Sequence, residues 1–447
     1  MKIVDLSVPV YEGMPTDDLG PKFWVRLSHA AARQLYQHTQ SREGRVFLTT
    51  DHTGTHLDGP LRFDPKGVSV EKIPLERVIL PATLLDLRRP KTRAYPIGLA
   101  ELEKAGAGLR AGEAAVLWTG HDLHLKSPDY FWNRPQLTLE GADWLVQRRV
   151  GLVAADFPGI GEPSDDRYMV KRALHRGGIL TAEQLCNLAP LEGQHWHLCV
   201  PPIRIRGCAG SLVRAVGLVE WQPKELVDLS QDIYQGMTAL GGAVPTTWTR
   251  ANHTLTAFFY KGECSYQTTS LFLSEHAGTH LDAPYHFDEH AHAIDEIPLS
   301  RLYARARVLD LSHKKPLEGI APEDLEQAAA RQKVTIEPGD AAVVWTEHSR
   351  NYERPDFTSH RPFITAEGAA WLRDRRPGYL VTDLVGLDPM EDETTPVHLC
   401  FLMAGIPFMQ VTRNLSRLAT GQWHIAAFPL KLVGGSGSPL RPFAVRA

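Results

Sequence analysis

Three histidines and an aspartate lie within one short segment of the second half of the chain, EHAGTHLDAPYHF at residues 275–287. His276, His280, Asp282 and His286 fall on alternate positions, and alternate residues of a β-strand point to the same face. The HxxxH spacing also fits a helix, but the glycine inside the segment and the proline after it disfavour one. Two imidazoles and a carboxylate suit Zn²⁺, Mn²⁺ or Fe²⁺. The segment therefore predicts a metal site.

A straight strand would hold the two histidines of the HxxxH pair too far apart. Four residues at ~3.3 Å each separate the backbones of His276 and His280 by roughly 13 Å. Both imidazoles must reach one ion at about 2.1 Å, which is near the limit of their combined span. Because glycine tolerates unusual backbone dihedrals, we expect the chain to bend around Gly278 and Thr279.

The same segment occurs a second time, as DHTGTHLDGPLRF at residues 51–63, with Arg62 at the position of His286. Other blocks recur in the same order, with only a few short insertions between them: IVDLSVPVYEGM as LVDLSQDIYQGM, ATLLDL as ARVLDL, and AAVLWTGH as AAVVWTEH. Self-similarity at one long period indicates duplication of a whole domain. We therefore predict two tandem domains, at residues 1–222 and 223–447.

Each copy has the pattern of a mixed α/β domain. Short apolar runs such as GLVAADF at 151–157 and GYLVTDL at 378–384 predict buried strands. The segments TLEGADWLVQRR at 138–149 and TAEGAAWLRDRR at 365–376 have helical spacing. Each opens on a threonine, a residue preferred at helix N-caps.

Composition disfavours several classes of partner. A formal net charge of −4 provides no basic field for nucleic acid. No apolar run approaches the ~20 residues needed to span a bilayer, and the first residues do not resemble a signal peptide. We expect a cytoplasmic protein with a small-molecule substrate and no nucleic-acid or membrane partner. Whether the chain forms a further homo-oligomer stays open.

The motif H-x-G-T-H-x-D-x-P-x-H resembles the signature of the "putative cyclase" superfamily of metal-dependent hydrolases, which includes bacterial kynurenine formamidase and isatin hydrolase. The DLS…Y.GM opening and the GSGSPLR ending are similar too, so the resemblance covers nearly the whole chain, once per copy. It implies an α/β fold of two swivelling β/β/α cyclase-like domains that form an internal pseudo-dimer. It also implies metal-dependent hydrolysis of an amide-type C–N bond in an arylformamide, lactam or cyclic imide.

The resemblance implies roles for the residues of the second copy. His276, His280 and Asp282 would be metal ligands, and His286 would be the catalytic acid/base. The family also has a distal histidine and, twelve residues later, a glutamate. These positions hold His398 and Gln410 here.

The glutamine bears on the number of metal ions. In the formamidase-like binuclear site the glutamate at this position bridges two ions, so Gln410 favours one divalent ion per chain, Zn²⁺ or Mn²⁺. Gln410 still offers a neutral carbonyl oxygen as a ligand. His398 would be a weaker ligand or a substrate contact.

The first copy departs from the family pattern in another way. Arg62 replaces the acid/base, and Lys171 stands where His398 stands in the second copy. Arginine cannot accept a proton near neutral pH, so this copy should not run the same reaction. The retained candidate ligands are His52, His56, Asp58 and Glu183. They could hold a second metal ion, or the two cations could neutralise the two carboxylates and leave no metal bound.

The substrate is not identified by the sequence. Tyr234 and Trp248, in the segment that follows the LVDLS block, could contact a substrate or belong to the core. Two other functions stay open. One is a cyclase or dehydratase that polarises a carbonyl without consuming water. The other is a non-catalytic metal-binding or ligand-binding protein, which His286 disfavours because binding needs no proton transfer.

Overall fold

The computed structural model describes residues 1–38, 40–89, 92–237 and 244–446. The chain divides into two compact units. The first unit comprises Met1–Lys22, Leu48–Trp221 and Thr247–Leu271, and the second comprises Phe23–Phe47, Gln222–Thr246 and Phe272–Ala447. Each unit therefore consists mainly of one sequence copy and includes one short segment of the other.

The described residues form short strands and helices throughout. The strands are β1 (Lys2–Asp5), β2 (Lys22–Leu27), β3 (Gly44–Thr50), β4 (His56–Asp58), β5 (Ile79–Asp86), β6 (Pro96–Ile97), β7 (Ala114–Trp118), β8 (Gln136–Leu137), β9 (Leu152–Ala155), β10 (Leu180–Glu183), β11 (Trp196–Cys199), β12 (Gly210–Leu212), β13 (Val216–Val219), β14 (Glu225–Asp228), β15 (Thr246–Ala251), β16 (Thr268–Ser274), β17 (His280–Asp282), β18 (Tyr303–Asp310), β19 (Gly319–Ile320), β20 (Ala341–Trp345), β21 (Phe363–Ile364), β22 (Tyr379–Thr382), β23 (Phe408–Gln410), β24 (His424–Ala426), β25 (Gly437–Pro439) and β26 (Phe443–Arg446). The α-helices are α1 (His29–Leu35), α2 (Leu99–Ala105), α3 (Leu139–Gln147), α4 (Met169–Arg176), α5 (His253–Phe259), α6 (Pro322–Gln332), α7 (Ala366–Asp374) and α8 (Pro396–Leu402). None of these helices has the length and apolar character needed to cross a membrane.

The first unit is built around a nine-stranded sheet with the order β1-β13-β11-β5-β7-β9-β10-β4-β12. Its centre, β5-β7-β9-β10, is parallel, and β4 and β12 continue it in antiparallel pairing. Helices α2, α3 and α4 contribute Leu102, Leu145 and Leu174 to a buried cluster that also contains Leu117 and Val153 of the sheet. Parallel strands that are buried on both faces have nearly continuous apolar sequences.

The second unit repeats this design. Its nine-stranded sheet has the order β14-β26-β24-β18-β20-β22-β23-β17-β25, strand for strand the counterpart of the first. Leu325, Leu372 and Phe401 of α6, α7 and α8 pack against Val344 and Leu380 of its central strands. The predicted α/β fold with two tandem copies is confirmed.

The predicted helix starts are also confirmed. Thr138 caps α3 by accepting a hydrogen bond from the backbone N–H of Gly141, and Thr365 caps α7 by accepting one from Gly368. A threonine N-cap satisfies one of the backbone donors that the first turn of a helix leaves unpaired.

Strand pairing determines which distant residues meet the motif. In the second unit β17 lies between β23 and β25, and the register places His280 opposite Gln410. The first unit has the same register, with His56 of β4 opposite Glu183 of β10. Directly opposed residues in an antiparallel pair have Cβ atoms about 4.5–5.5 Å apart. The sheet therefore brings residues together that are far apart in sequence.

Candidate metal centre

The motif of the second unit bends where the sequence predicts it. Gly278 has a φ of +60°, and a Cβ at this position would lie 2.6 Å from Cγ1 of Ile233. Only glycine fits this left-handed conformation and this space without strain. The bend brings the ring centroids of His276 and His280 to 5.3 Å from each other.

Strand alternation explains only part of the cluster. The strand itself is His280–Asp282, which places those two side chains on one face. His286 lies in the 3₁₀-helix Pro284–His286 that follows. A turn on each side of the strand, rather than one extended strand, therefore orients the first and last histidines.

The four predicted side chains converge. Nδ1 of His276 is 2.6 Å and Nε2 of His280 is 3.3 Å from the same atom, Oδ1 of Asp282. The rings of His276 and His286 are 4.3 Å apart between centroids. Potential ligand atoms of His276, Asp282 and His286 all lie within 4.8 Å of one another. Imidazole nitrogens and a carboxylate oxygen gathered in this way fit a divalent metal ion.

Each imidazole that faces Asp282 is oriented by its other nitrogen. Nδ1 of His280 donates to the carbonyl oxygen of Gly278 at 2.8 Å, so Nε2 points to Asp282. In His276 the roles are reversed, because Nε2 lies 3.0 Å from Oγ of Ser436 and Nδ1 points to Asp282. Hydrogen bonds of this kind determine which nitrogen is free to bind a metal.

The electrostatics of the cluster match a cation site. Burial alone would raise the pKa of Asp282, but His276 and His280 outweigh it and hold that pKa well below its usual range. Asp282 is therefore a buried, ionised carboxylate that needs cationic neighbours. Burial, together with the neighbouring His276, holds the pKa of His286 well below its usual range. The neutral form of the His286 imidazole is therefore favoured.

The two distal residues hold other partners. The amide nitrogen of Gln410 donates to Oδ2 of Asp282 at 2.9 Å, and its oxygen accepts from the backbone N–H of Gly386 at 2.5 Å. Gln410 therefore holds Asp282 as a donor, and its oxygen points away from that carboxylate. Nδ1 of His398 is hydrogen-bonded to the carboxylate of Asp388. The ligand roles suggested for Gln410 and His398 stay predictions.

Three residues that were not predicted from the sequence form a chain of hydrogen bonds that ends at His276. Arg45 donates from Nε to Oε1 of the fully buried Glu275 at 2.8 Å. Oε2 of Glu275 accepts from the backbone N–H and hydroxyl of Ser436, at 3.0 and 2.8 Å, and that hydroxyl contacts His276. The only sequence signal was the acidic residue directly before the motif histidine, which is Glu275 in the second copy and Asp51 in the first.

The first unit assembles an equivalent cluster. Nδ1 of His52 is 2.7 Å from Oδ1 of Asp58, and Nε2 of His56 is 3.8 Å from the same oxygen and 3.7 Å from Oε2 of Glu183. Potential ligand atoms of His52, His56 and Asp58 lie within 4.8 Å of one another. Gly54 makes the same bend, with a φ of +59°.

An ammonium group lies between the carboxylates of this first cluster. Nζ of Lys171 is 2.8 Å from Oδ2 of Asp58 and 2.5 Å from Oε1 of Glu183. Burial alone would lower the pKa of Lys171, but the two carboxylates outweigh it and raise the pKa above its usual value. Lys171 therefore supplies a fixed positive charge between two carboxylates that could otherwise bind a metal ion.

The two predicted substrate contacts fall in different units. Tyr234 belongs to the second unit and packs edge-on against Tyr352, with 6.0 Å between ring centroids. Trp248, on β15, belongs to the first unit and is 43% exposed. Their roles stay predictions.

The chain contains two copies of an α/β domain, and each copy carries an HxGTHxD cluster at the equivalent strand. Both copies therefore represent the same protein family. The chain belongs to that family, described as "Putative cyclase", whose model matches residues 4–162 and 227–389. The predicted resemblance is thus confirmed.

Curated relatives include kynurenine formamidases. That of Salinibacter ruber is 29% identical over 218 residues, which cover 48% of this chain and 95% of that protein. That of Geobacillus thermodenitrificans is 27% identical over 219 residues, covering 48% and 94%. Among solved structures, isatin hydrolase A from Labrenzia aggregata is 26% identical, with a TM-score of 0.42, and the match covers 49% of this chain and 93% of that one.

Proposed function

We propose that this protein is a metal-dependent hydrolase that cleaves an amide-type C–N bond of a small molecule in its second unit. The observation that carries the proposal is the convergence of His276, His280 and Asp282 beside the neutral His286. Membership of the family and the similarity to kynurenine formamidases support it. The substrate class we propose is an arylformamide, a lactam or a cyclic imide.

The donor set fits one Zn²⁺ or Mn²⁺ ion held by His276, His280 and Asp282. When bound, such an ion lowers the pKa of water from 15.7 to about 7 and polarises a carbonyl group. We propose one ion per chain, because Lys171 already provides the positive charge between Asp58 and Glu183 in the first unit.

A hydrogen bond of His286 supports its proposed role as the acid/base. Nδ1 of His286 donates to the backbone carbonyl oxygen of Glu43, so the proton of the neutral ring resides on Nδ1. Nε2 is then the acceptor. His286 would take a proton from the attacking water at Nε2 and return it to the leaving nitrogen, a role that contributes typically 10²–10⁴-fold to rate. Gln410 and Thr279 would act by positioning, Gln410 on Asp282 and Thr279 on the backbone of Gln231 and Val411.

The substrate contacts stay proposals. Tyr234, which belongs to the second unit, is proposed to contact the substrate of that unit, and Trp248 is proposed as a ligand contact of the first unit.

The test is turnover of a panel of formanilides, lactams and cyclic imides in ¹⁸O-labelled water, with metal content measured in parallel. Hydrolysis places one solvent oxygen in the product acid, whereas a cyclase or dehydratase places none. We expect His286→Ala to lose turnover by about 10²-fold or more while its metal content stays unchanged. His290→Ala is the matched control, because the His290 side chain is 87% exposed.

Three results would contradict the proposal. Product acid without solvent oxygen would exclude hydrolysis. Full turnover in His286→Ala would remove His286 from the reaction. Loss of metal in His286→Ala would make His286 a ligand, which the short separation of its ring from His276 also allows.

A further inference from the structure

We infer that the first unit carries a metal-independent binding site for a small aromatic carboxylate, with Arg62 as its charge partner. The site is the cavity above the cluster of His52, His56 and Asp58. This site lies in the first unit, whereas the proposed hydrolysis is assigned to the second. The two proposals can therefore be tested independently.

A cavity of about 270 Å³ opens onto the altered cluster. Its lining includes the polar side chains of Arg62, Arg134, Lys171 and Gln184 and the rings of Trp132 and Tyr168. The volume is below the roughly 300–1,000 Å³ of pockets for drug-sized ligands. The cavity therefore suits a small molecule with one ring.

The carboxylates beneath the cavity already have their partners. Asp58 contacts His52 and Lys171. Glu183 contacts Lys171 and accepts the backbone N–H groups of Gly159 and Ile160, at 2.7 and 3.2 Å. Lys171 is likewise occupied by both carboxylates, so it is not free to bind a ligand.

Arg62 differs from Lys171 because it forms no ion pair among the described residues. It is 5% exposed; Nη1 donates to the carbonyl oxygen of Gln267 at 2.7 Å, and Nε is buried without a hydrogen-bond partner. Its guanidinium carbon lies 5.2 Å from the ring centroid of Tyr168 and 5.1 Å from that of Tyr266. The rings hold the guanidinium in place, and the carboxylates of Asp58 and Asp51 favour its charge and raise its pKa despite burial. The unpaired Nε can still donate a charge-assisted hydrogen bond to an anionic acceptor.

Gln184 supplies the complementary group. It is 3% exposed, lines the same cavity, and its side-chain oxygen is buried without a hydrogen-bond partner. A ligand that satisfies both orphan atoms carries a carboxylate for Arg62 and an N–H donor for Gln184. An aromatic ring between the two groups would lie against the ring walls.

Acidic residues also line the cavity, but they lie at its exposed parts. Asp17, Glu162 and Asp166 are solvent-exposed, so water and salt screen them. Asp165 accepts the backbone N–H groups of Arg167 and Met169. Arg134 also lines the cavity, but it donates to the backbone carbonyl oxygens of Phe131, Pro135 and Gly161. Among the described residues of the lining, the ring nitrogens of His52 and Nε of Arg62 are buried without a hydrogen-bond partner, and of these two side chains Arg62 is the one that is always charged.

All three polar groups are particular to the first copy. The second copy has His286 for Arg62, His398 for Lys171 and Val411 for Gln184. The loss of the acid/base thus coincides with the gain of a guanidinium and an amide in one cavity. This pattern fits a change of ligand better than simple decay of a metal site.

The test is calorimetric titration of the full-length protein, stripped of metal with a chelator, with benzoate, 2-aminobenzoate and the neutral isostere benzamide. We expect one molecule of benzoate to bind per chain, and benzamide to bind at least about tenfold more weakly because it lacks the charge that Arg62 needs. Arg62→Met should weaken benzoate binding by at least about tenfold. We expect 2-aminobenzoate to bind more tightly than benzoate, because its amino group can donate to the unpaired oxygen of Gln184. Gln184→Val, which introduces the residue of the second copy, should remove this preference and leave benzoate affinity nearly unchanged.

Location and folding are tested with two further variants. His276→Ala, in the second unit, should bind benzoate as the wild type does. If Arg62→Met fails to fold, as judged by near-ultraviolet circular dichroism, Arg62→Lys retains the charge without the planar fork and should still weaken binding. No benzoate binding, equal affinity for benzamide, or loss of binding in His276→Ala instead of the Arg62 variants would each overturn the inference.

Discussion

Removal of one ammonium group should turn the first cluster into a metal site. In Lys171→Ala, Asp58 and Glu183 lose the charge that lies 2.8 and 2.5 Å from their oxygens. At an effective dielectric constant of 20, two unit charges 2.8 Å apart attract each other by ~6 kcal/mol. Desolvation offsets part of this, and removal of one partner from a buried pair costs about 3–5 kcal/mol.

The variant should therefore be less stable by about 3–5 kcal/mol in chelator and recover most of that when Zn²⁺ or Mn²⁺ is added. The same free energy corresponds to a gain of roughly 10²- to 10⁴-fold in metal affinity of the first unit. Metal analysis after equilibrium dialysis should give two ions per chain in the variant and one in the wild type. Urea unfolding with and without chelator gives the stability change.

A matched control is Lys66→Ala, because Lys66 is exposed and belongs to the same copy. It should keep one ion per chain and wild-type stability. The reasoning is refuted if Lys171→Ala still binds one ion and its stability does not depend on metal. Two ions in the wild type would refute it as well, since the ammonium would then not exclude the metal.

Two other substitutions test the second cluster and the sheet beneath the first. Gln410→Glu replaces the donor to Asp282 with a like charge, so its unfolding free energy in chelator should fall by about 1–3 kcal/mol and rise again with metal. Burial raises the pKa of Asp156 to about 7. Asp156 therefore keeps its proton to a higher pH in the folded state than in the unfolded state. The free energy of unfolding consequently falls as the pH rises from about 4 to about 7. Relative to Asp156→Asn, the wild type should lose up to about 4 kcal/mol over that range in urea titrations. A pH-independent difference would contradict this.

Local signals in the sequence account for much of the fold. The threonines at 138 and 365 mark helix starts because their hydroxyls can satisfy backbone donors there. The repeat predicts two like domains, since each block that recurs has to form the same element. The bend at Gly278 follows from distance alone, because His276 and His280 cannot otherwise reach one ion.

Other features depend on contacts between residues far apart in sequence. The chain has no local signal for the assignment of residues 23–47 to the second unit and 247–271 to the first. Arg45 is separated from Glu275 by 230 positions, so their pairing appears only in three dimensions. The position of Lys171 was predictable from the repeat, but its bridging of Asp58 and Glu183 depends on strands that are distant in sequence. The orientation of the Gln410 amide likewise depends on the N–H of Gly386.

Residues 23–47 and 247–271 each belong to the unit that is formed mainly by the other copy. This exchange of segments gives a reason for an altered copy to persist in the gene. Residues 23–47 are encoded in the first copy, yet they supply the Glu43 carbonyl to His286 and the Arg45 guanidinium to Glu275. A deletion that discarded the first half would strip the second of both supports. Selection for the reaction proposed in the second unit would therefore also retain the first copy, while the cluster of the first unit would be free to change toward the ligand proposed for it.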